Sequence, residues 1–129
     1  MTVLDTSALV AVLAREPQAP ALLDRIAAED DLRISAGTLL EALVVLQARY
    51  GDEGVRDVRL LLHAAGARVV PFDADQVELA HAGFVRYGKG RHPAALNLGD
   101  LHAYALAKAH GAPVLYVGED FMQTDVAAA

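Results

Sequence analysis

The sequence predicts an α/β fold in which a short central parallel sheet of about four strands is flanked by helices, forming one domain over residues 1–129. Short apolar segments alternate with longer segments of helical periodicity, which is the pattern of a parallel sheet covered by helices on both faces. A chain of 129 residues fits one domain that can bury a core. We find no linker, repeat or low-complexity segment that would divide it.

The first half of the chain contains two predicted strands and four predicted helices. Pro17 favours the start of a helix, whereas Gly51 and Gly66 stand where helices commonly end. The predicted elements are a strand over 2–5, a helix over 7–15, a helix from 17 to about 29, a strand over 32–35, and helices over 38–50 and 54–65.

The second half repeats the alternation. A third strand over 68–70 is closed by Pro71, and Asp73 is placed to cap a helix that runs to Tyr87. The glycine-dense, basic segment 88–93 then interrupts the pattern. It is followed by a helix over 98–110, which Gly111 ends, and by a fourth strand over 114–117.

The composition excludes several classes of function. Hydrophobic residues make up 54% of the chain and charged residues 22%, as in folded globular proteins. The chain has no cysteine, which excludes disulfides, thiolate metal sites and cysteine nucleophiles. The apolar stretches are too short to span a bilayer and no leader precedes the first strand, so we expect a cytoplasmic protein without membrane contact.

The net charge of −6 is unlike that of a protein that binds nucleic acid through a basic surface. Two bound divalent cations would add four positive charges and reduce the net charge to −2. An acidic chain is therefore compatible with a phosphate substrate when metal ions mediate the contact.

Four acidic positions in apolar surroundings map to one edge of the predicted sheet. Asp5 follows the first strand and Glu119–Asp120 follows the fourth, while Glu41 and Asp100 fall in the first turns of helices. Parallel sheets bind ligands at the carboxyl ends of their strands. Because converging carboxylates beside a core repel one another, something positive must lie among them, and a divalent, oxygen-preferring cation is the simplest candidate.

Taken singly, these acids have alternative roles as helix caps. The spacing of Thr38 and Glu41 is that of a capping box, with Glu41 at the third helical position, and the spacing of Asn97 and Asp100 is similar. Asp5 is placed to cap the first helix. Caps alone do not explain why all four acids share one edge of the sheet.

Other polar residues fit catalysis less well. Ser7 and Ser35 lack the glycine pattern of a nucleophile elbow and a matched histidine base. His102 lies two positions after Asp100, and so on a different face of the helix. Asp125 is expected in a turn, with a place in the acidic site as the alternative.

The acidic positions lie in motifs that resemble those of PIN-domain nucleases, and the resemblance spans essentially the whole chain. One branch of that family, the VapC toxins of VapBC toxin–antitoxin pairs, matches the closing motif and the segment before the third acid. The motifs are Val3-Leu4-Asp5-Thr6-Ser7-Ala8, residues 34–41, residues 98–107, Gly118-Glu119-Asp120-Phe121 followed by 124–126, and residues 91–97.

The resemblance implies a single PIN domain and a set of site residues. Asp5, Glu41 and Asp100 would hold Mg²⁺ or Mn²⁺, with the fourth acid at Asp120 and Glu119 as its alternative. Ser7 would orient Asp5 or a metal-bound water. We expect one firmly held ion on Asp5 and Asp100, with the other two acids completing the site or holding a second ion.

The resemblance also implies a function and partners. We expect an endoribonuclease that hydrolyses RNA phosphodiester bonds as a toxin, forms a homodimer, and is blocked by a cognate VapB-type antitoxin. The first two helices are the expected surface for both protein partners. From chain order, Lys89, Arg91, His92 and Arg15 are expected to contact flanking phosphates, which position RNA without reading its sequence.

Two alternatives remain open. A receiver-like signalling domain shares the size, the α/β pattern and an acidic metal pocket, but it requires a lysine after a late strand, and Lys108 falls within a helix. A catalytically silent PIN module would bind without cleaving. A dehalogenase-like phosphatase is disfavoured because Ser7 occupies the position of its second aspartate.

Overall fold

The strands form one parallel sheet, as described for residues 1–129 by a computed structural model. The strands are β1 (Thr2–Leu4), β2 (Leu32–Ser35), β3 (Arg68–Val70) and β4 (Val114–Leu115). Their order across the sheet is β3-β2-β1-β4, and every neighbouring pair is parallel. The predicted α/β class with four parallel strands is confirmed, although β4 is two residues shorter than expected.

Five helices pack around this sheet. They are α1 (Thr6–Leu13), α2 (Ala19–Ala28), α3 (Ala36–Ala64), α4 (Ala74–Tyr87) and α5 (Leu98–His110). No helix is both long enough and apolar enough to cross a bilayer.

Helix α3 begins at Ala36, two residues earlier than predicted. Ser35 ends β2 and caps the helix, because its hydroxyl oxygen accepts a hydrogen bond from the backbone N–H of Gly37 at 3.3 Å. The capping-box interpretation of Thr38 and Glu41 is therefore wrong. Glu41 lies beyond the first turn, where its side chain has no part in satisfying the helix N-terminus.

A break at Gly51 divides α3. The backbone there has φ 67° and ψ −154°, which is outside the helical region and costs glycine less than other residues. The two helices predicted for this stretch are thus the two halves of α3. The second half begins directly after the break, earlier than the predicted start at Gly54.

The sheet separates two apolar layers. Neighbouring side chains of β1 point to opposite faces: Val3 packs against α4 and α5, whereas Leu4 packs against α1, α2 and α3. Both side chains are fully buried. This arrangement is an α/β/α sandwich, and it places the end of β1 at the centre of one edge of the sheet.

The outer edge of β4 is covered by the last residues of the chain. The N–H of Val114 donates to the carbonyl of Ala127, and the N–H of Ala129 donates to the carbonyl of Val114, both at 2.9 Å. Phe121, which is 1% exposed, packs into the layer formed by α4 and α5. The segment after β4 is thereby held against the body of the domain.

Candidate active site

Four of the predicted acids line one open cleft at the carboxyl edge of the sheet. Asp5 comes from the end of β1, Glu41 from α3, Asp100 from the first turn of α5, and Asp120 from the segment after β4. The cleft has a volume of about 320 Å³. Four segments that are far apart in sequence therefore bring carboxylates to the same place.

Asp5 is buried at the base of the cleft, with 4% of its surface exposed. Its Oδ2 accepts hydrogen bonds from the Ser7 N–H at 3.0 Å and the Ser7 hydroxyl at 2.6 Å, while its Oδ1 is buried without a partner. Burial raises the pKa of Asp5; the hydrogen bonds from Ser7 oppose this shift, and the charges of Glu41 and Asp120 add to it. This buried oxygen is a polar atom that is free to bind a cation.

Ser7 links Asp5 to the segment that follows β4. Its hydroxyl donates to Asp5 Oδ2 and accepts a hydrogen bond from the N–H of Val117 at 2.9 Å. Val117 lies just beyond β4, in the segment that leads to Asp120. One hydroxyl thus fixes the orientation of the Asp5 carboxylate relative to the segment that carries the fourth acid.

Asp100 is held by the N-terminus of its own helix. Its Oδ2 accepts a hydrogen bond from the N–H of Asn97, and its own N–H donates to Asn97 Oδ1, both at 3.0 Å. This is the predicted capping box, and the residue also lines the cleft. Burial raises the pKa of Asp100 to about 7; the Asn97 hydrogen bond opposes the shift, and the charges of Asp5, Asp120 and Glu41 add to it.

Glu41 rests against the backbone at the start of α5. A Cβ atom added at Gly99 would collide with the Glu41 carboxylate, so the absence of a side chain at Gly99 makes room for it. The carboxylate accepts no hydrogen bond and forms no ion pair within the chain. It therefore reaches the cleft because α3 and α5 approach closely at a glycine.

The segment after β4 directs Asp120, and not Glu119, into the cleft. Gly118 has φ 105°, a backbone conformation that favours glycine, and the chain turns there. Glu119 and Asp120 are both exposed, but only Asp120 lines the cleft. The next residue, Phe121, is buried, so the chain is anchored immediately beside the acid.

Asp125 anchors the same segment farther along. Its carboxylate accepts hydrogen bonds from the Tyr104 hydroxyl at 3.0 Å and from Lys108 Nζ at 2.7 Å. Burial opposes ionisation, but the hydrogen bonds from Lys108 and Tyr104 hold the pKa of Asp125 below its ordinary value. Asp125 lies in a bend of the chain, as predicted, and it also ties that bend to α5.

The donor set suits a divalent cation that prefers oxygen ligands. As the side chains stand, no three of the His, Cys, Asp and Glu groups lie close enough together to hold a metal ion. The cleft nevertheless offers only carboxylates as strong ligands, and one of them, Asp5, has a buried oxygen without a partner. The residues present therefore fit a carboxylate-bound divalent ion.

The predicted basic residues lie outside the cleft. Lys89 and Arg91 are exposed in the loop between α4 and α5, where Arg91 lies 5.6 Å from the centre of the Phe84 ring. His92 is half-buried in the same loop and its Nδ1 accepts a hydrogen bond from Ala94. Arg15 is exposed after α1; none of the four predicted basic residues lines the cleft.

Two charged residues of the cleft were not found from the sequence. Glu16 and Arg49 both contribute to its lining. Arg49 lies eight residues after Glu41 on α3, and positions four apart share a helix face. That spacing was the only signal available, and it is equally typical of a solvent-exposed helix face.

The fold and the cleft define a class: α/β domains that present carboxylates at the carboxyl edge of a parallel sheet. The model of the PIN domain family matches residues 2–127, and the chain belongs to this family. It is 50% identical over 127 residues to the protein named Ribonuclease VapC of Mycolicibacterium smegmatis, with 98% of each chain covered. The family predicted from the motifs is confirmed.

Solved structures agree on the fold. VapC20 of Mycobacterium tuberculosis superimposes with a TM-score of 0.82 at 18% identity, covering 100% of this chain and 98% of that one. A chain of VapBC2 from Rickettsia felis, solved bound to a DNA fragment from their promoter, gives a TM-score of 0.78 at 14% identity, with 99% of this chain and 96% of that one covered. At these identities the likeness establishes the fold alone.

Proposed function

We propose that the chain is a metal-dependent endoribonuclease and the toxin of a VapBC toxin–antitoxin pair. The observation that carries this proposal is the convergence of Asp5, Glu41, Asp100 and Asp120 on one cleft, with a buried oxygen of Asp5 left without a partner. Membership of the PIN domain family and 50% identity to a protein named Ribonuclease VapC support it. RNA is accordingly the proposed substrate.

Asp5, Asp100, Glu41 and Asp120 would hold Mg²⁺ or Mn²⁺. A bound divalent ion lowers the pKa of water and neutralises charge that develops on a phosphodiester. Within the chain, Ser7 holds the Asp5 carboxylate in a fixed orientation, and the capping box holds Asp100. Because Asp100 has a pKa of about 7, cation affinity should increase as the pH rises toward 8 and this carboxyl loses its proton.

The proposed contacts with RNA and with partners extend beyond the cleft. Lys89, Arg91, His92 and Arg15 are proposed to contact flanking phosphates, and the exposure of Lys89, Arg91 and Arg15 is compatible with that role. A VapB-type antitoxin and a second copy of the chain are the proposed protein partners. The solved VapBC2 pair from Rickettsia felis supports an antitoxin partner.

A receiver-like domain is less well supported. Its chemistry would need a lysine beside the acidic pocket, but Lys108 is held by Asp125 and does not line the cleft. A catalytically silent PIN module is also less well supported, because all four acids of the motifs are present and line the cleft.

The substitution Asp100→Asn tests the proposed activity. Asparagine retains the shape and can still accept the hydrogen bond from Asn97, but it removes the charge. We expect the rate of cleavage of single-stranded RNA to fall at least about 100-fold, since about 2.7 kcal/mol of transition-state stabilisation corresponds to that factor. Cleavage is measured in Mg²⁺ or Mn²⁺ and again with EDTA, which should stop it.

Asp24→Asn is the matched control, because Asp24 is exposed on α2 and does not line the cleft. It should cleave at the wild-type rate. An Asp100→Asn protein that cleaves as fast as wild type, in a preparation free of host nuclease, would overturn the proposed mechanism.

The toxin role is tested by expression in a bacterial host. We expect the wild-type chain to slow growth, the Asp100→Asn variant not to, and co-expression of the small protein encoded beside it to restore growth by binding the chain. Normal growth with wild-type chain, together with no binding by that small protein, would contradict the toxin role even if RNA is cleaved in vitro.

A further inference from the structure

The cleft contains one basic side chain among five acidic ones. Arg49 lines it together with the acids Asp5, Glu16, Glu41, Asp100 and Asp120. Despite these neighbours, Arg49 forms no ion pair, and its guanidinium donates no hydrogen bond within the chain. A guanidinium that lines an acidic cleft without a partner of its own remains available to an incoming anion.

The helix fixes where Arg49 stands. Glu41, Val45 and Arg49 are spaced by four residues on α3, and all three line the cleft, so they follow one face of the helix. Eight residues correspond to about 12 Å along a helix axis. Glu41 lies in the part of the cleft that holds Asp5 and Asp100. The backbone of Arg49 is two helical turns farther along the same wall.

The chemistry of this position favours a phosphate. A cleft lined by carboxylates repels a polyanion except where positive charge is placed, and guanidinium groups bind phosphate oxygens through paired hydrogen bonds. Because the backbone positions of Glu41 and Arg49 are about 12 Å apart along the helix, Arg49 borders the cleft beyond the acids and can reach a phosphate next to the one that they surround.

We propose that Arg49 binds a phosphate of the RNA strand that flanks the cleaved bond, and that it thereby sets the path of the strand out of the cleft. This inference rests on the proposed ribonuclease function. It differs from the basic residues expected from chain order, because Arg49 lies in the cleft wall itself.

Equilibrium binding tests the proposal. A labelled single-stranded RNA that the wild-type chain cleaves is titrated with Asp100→Asn protein, alone and with Arg49→Ala, Arg49→Lys or Arg25→Ala added. Arg25 is the matched control, since it is an exposed helical arginine on α2 that forms no ion pair and lies outside the cleft. Each Kd is measured at several salt concentrations.

We expect Arg49→Ala to raise Kd about five- to tenfold and to reduce the slope of log Kd against log salt by about 0.7, the value for one phosphate contact on a single strand. Arg49→Lys should retain the slope and part of the affinity, because lysine retains the positive charge but lacks the paired N–H donors of the guanidinium. In the chain with Asp100 intact, Arg49→Ala should raise KM more than it lowers kcat. Relative to the background protein, the Arg49 and Arg25 substitutions should leave thermal unfolding unchanged, since neither arginine has an ion-pair partner to lose.

The outcomes separate the two proposals. If wild-type chain cleaves RNA and Arg49→Ala matches Arg25→Ala in both Kd and salt slope, the Arg49 inference is overturned and the function stands. If Arg49→Ala binds RNA more tightly or loses thermal stability, the side chain serves to balance cleft charge and the inference is also overturned. If the wild-type chain cleaves no RNA under any metal condition, the proposed function itself fails.

Discussion

At the scale of single residues, the cleft brings together carboxyl groups that form no ion pair with a basic side chain of the chain. Asp5 and Asp100 are both buried, and both have a raised pKa for which burial is the largest cause. Their hydrogen bonds come from Ser7 and Asn97, which are neutral donors. The folded chain therefore holds protons at this site more tightly than the unfolded chain does.

This gives a pH dependence of stability in the absence of divalent ions. Asp100 has a folded-state pKa of about 7 against 3.8 for an ordinary aspartate, so between these values the folded chain binds a proton that the unfolded chain releases. Its contribution to stability is present at low pH and is lost as the pH rises toward 7, with a slope of at most about 1.4 kcal/mol per pH unit.

The measurement is urea denaturation in EDTA at pH values from 5 to 8. We expect the free energy of unfolding of the wild type, relative to Asp100→Asn, to fall as the pH increases to about 7 and then to level off. A difference between the two proteins that is constant from pH 5 to pH 8 would contradict the raised pKa.

The sequence predicted some of these residues and not others, for physical reasons. Asp5 was predictable because a carboxylate directly after a buried strand is costly. The structural role of Glu41 was mistaken because Ser35, three residues before Thr38, is the better-placed cap. Arg49 was missed because an arginine on an amphipathic helix is usually solvated, and only the fold reveals that this face borders the acids.

At the scale of elements, the site depends on how closely α3 and α5 approach. Gly99 lies in the first turn of α5, where the Glu41 carboxylate occupies the space that a Cβ atom would fill. Neither helix alone specifies this contact. The break at Gly51 and the cap at Ser35 show the same limit, since the sequence predicted the helices but not how they begin and join.

Gly99→Ala tests this contact, because helix propensity and the position of Glu41 should change stability and RNA cleavage in opposite directions. Alanine is favoured over glycine in a helix by about 1 kcal/mol, so intrinsic propensity alone predicts a more stable protein. The structure also predicts displacement of the Glu41 carboxylate, the unpartnered end of a flexible side chain, so RNA cleavage should fall about tenfold or more while the gain in stability is kept.

The two measurements are the cleavage rate in Mg²⁺ and urea denaturation of the same preparation. Glu41→Asp in the Gly99→Ala background should recover part of the cleavage, because the shorter side chain leaves room for the new methyl group. A Gly99→Ala protein that is both more stable and as active as wild type would rule out this account of the contact.

At the scale of the whole molecule, the carboxylates should make stability depend on divalent ions. An ion that binds only the folded chain stabilises it by about 2.7 kcal/mol at 100 times its Kd. We expect Mg²⁺ or Mn²⁺ to raise the Tm by several degrees, EDTA to reverse the change, and Asp100→Asn to reduce it strongly.

Thermal unfolding with and without each ion makes this measurement, with Asp24→Asn as the control that should respond like wild type. An identical Tm in saturating Mn²⁺ and in EDTA would mean that the cleft does not bind the ion. This readout does not require RNA, so it separates a failure of metal binding from the choice of a wrong substrate.

The sequence predicted the layered architecture and the edge at which the acids meet, because short apolar segments separated by helices indicate a parallel sheet whose strands all end at one edge. It did not predict how the segment after β4 is held against α5. The tie between Asp125 and both Tyr104 and Lys108 joins positions 17 or more residues apart, which no local pattern reveals.

The position of β1 in the sheet also has a kinetic consequence. This strand pairs with β2, which follows it after two helices, but its other neighbour, β4, begins more than a hundred residues later. Long-range pairings of this kind form slowly, because the chain must lose loop entropy before the contact is gained. Asp5 and Asp120 lie on the two sides of that pairing, so a chain that has folded only its first half holds a fully formed β1 and no complete set of acids. Recovery of nuclease activity on refolding should therefore follow the slowest kinetic phase, in which β4 pairs with β1.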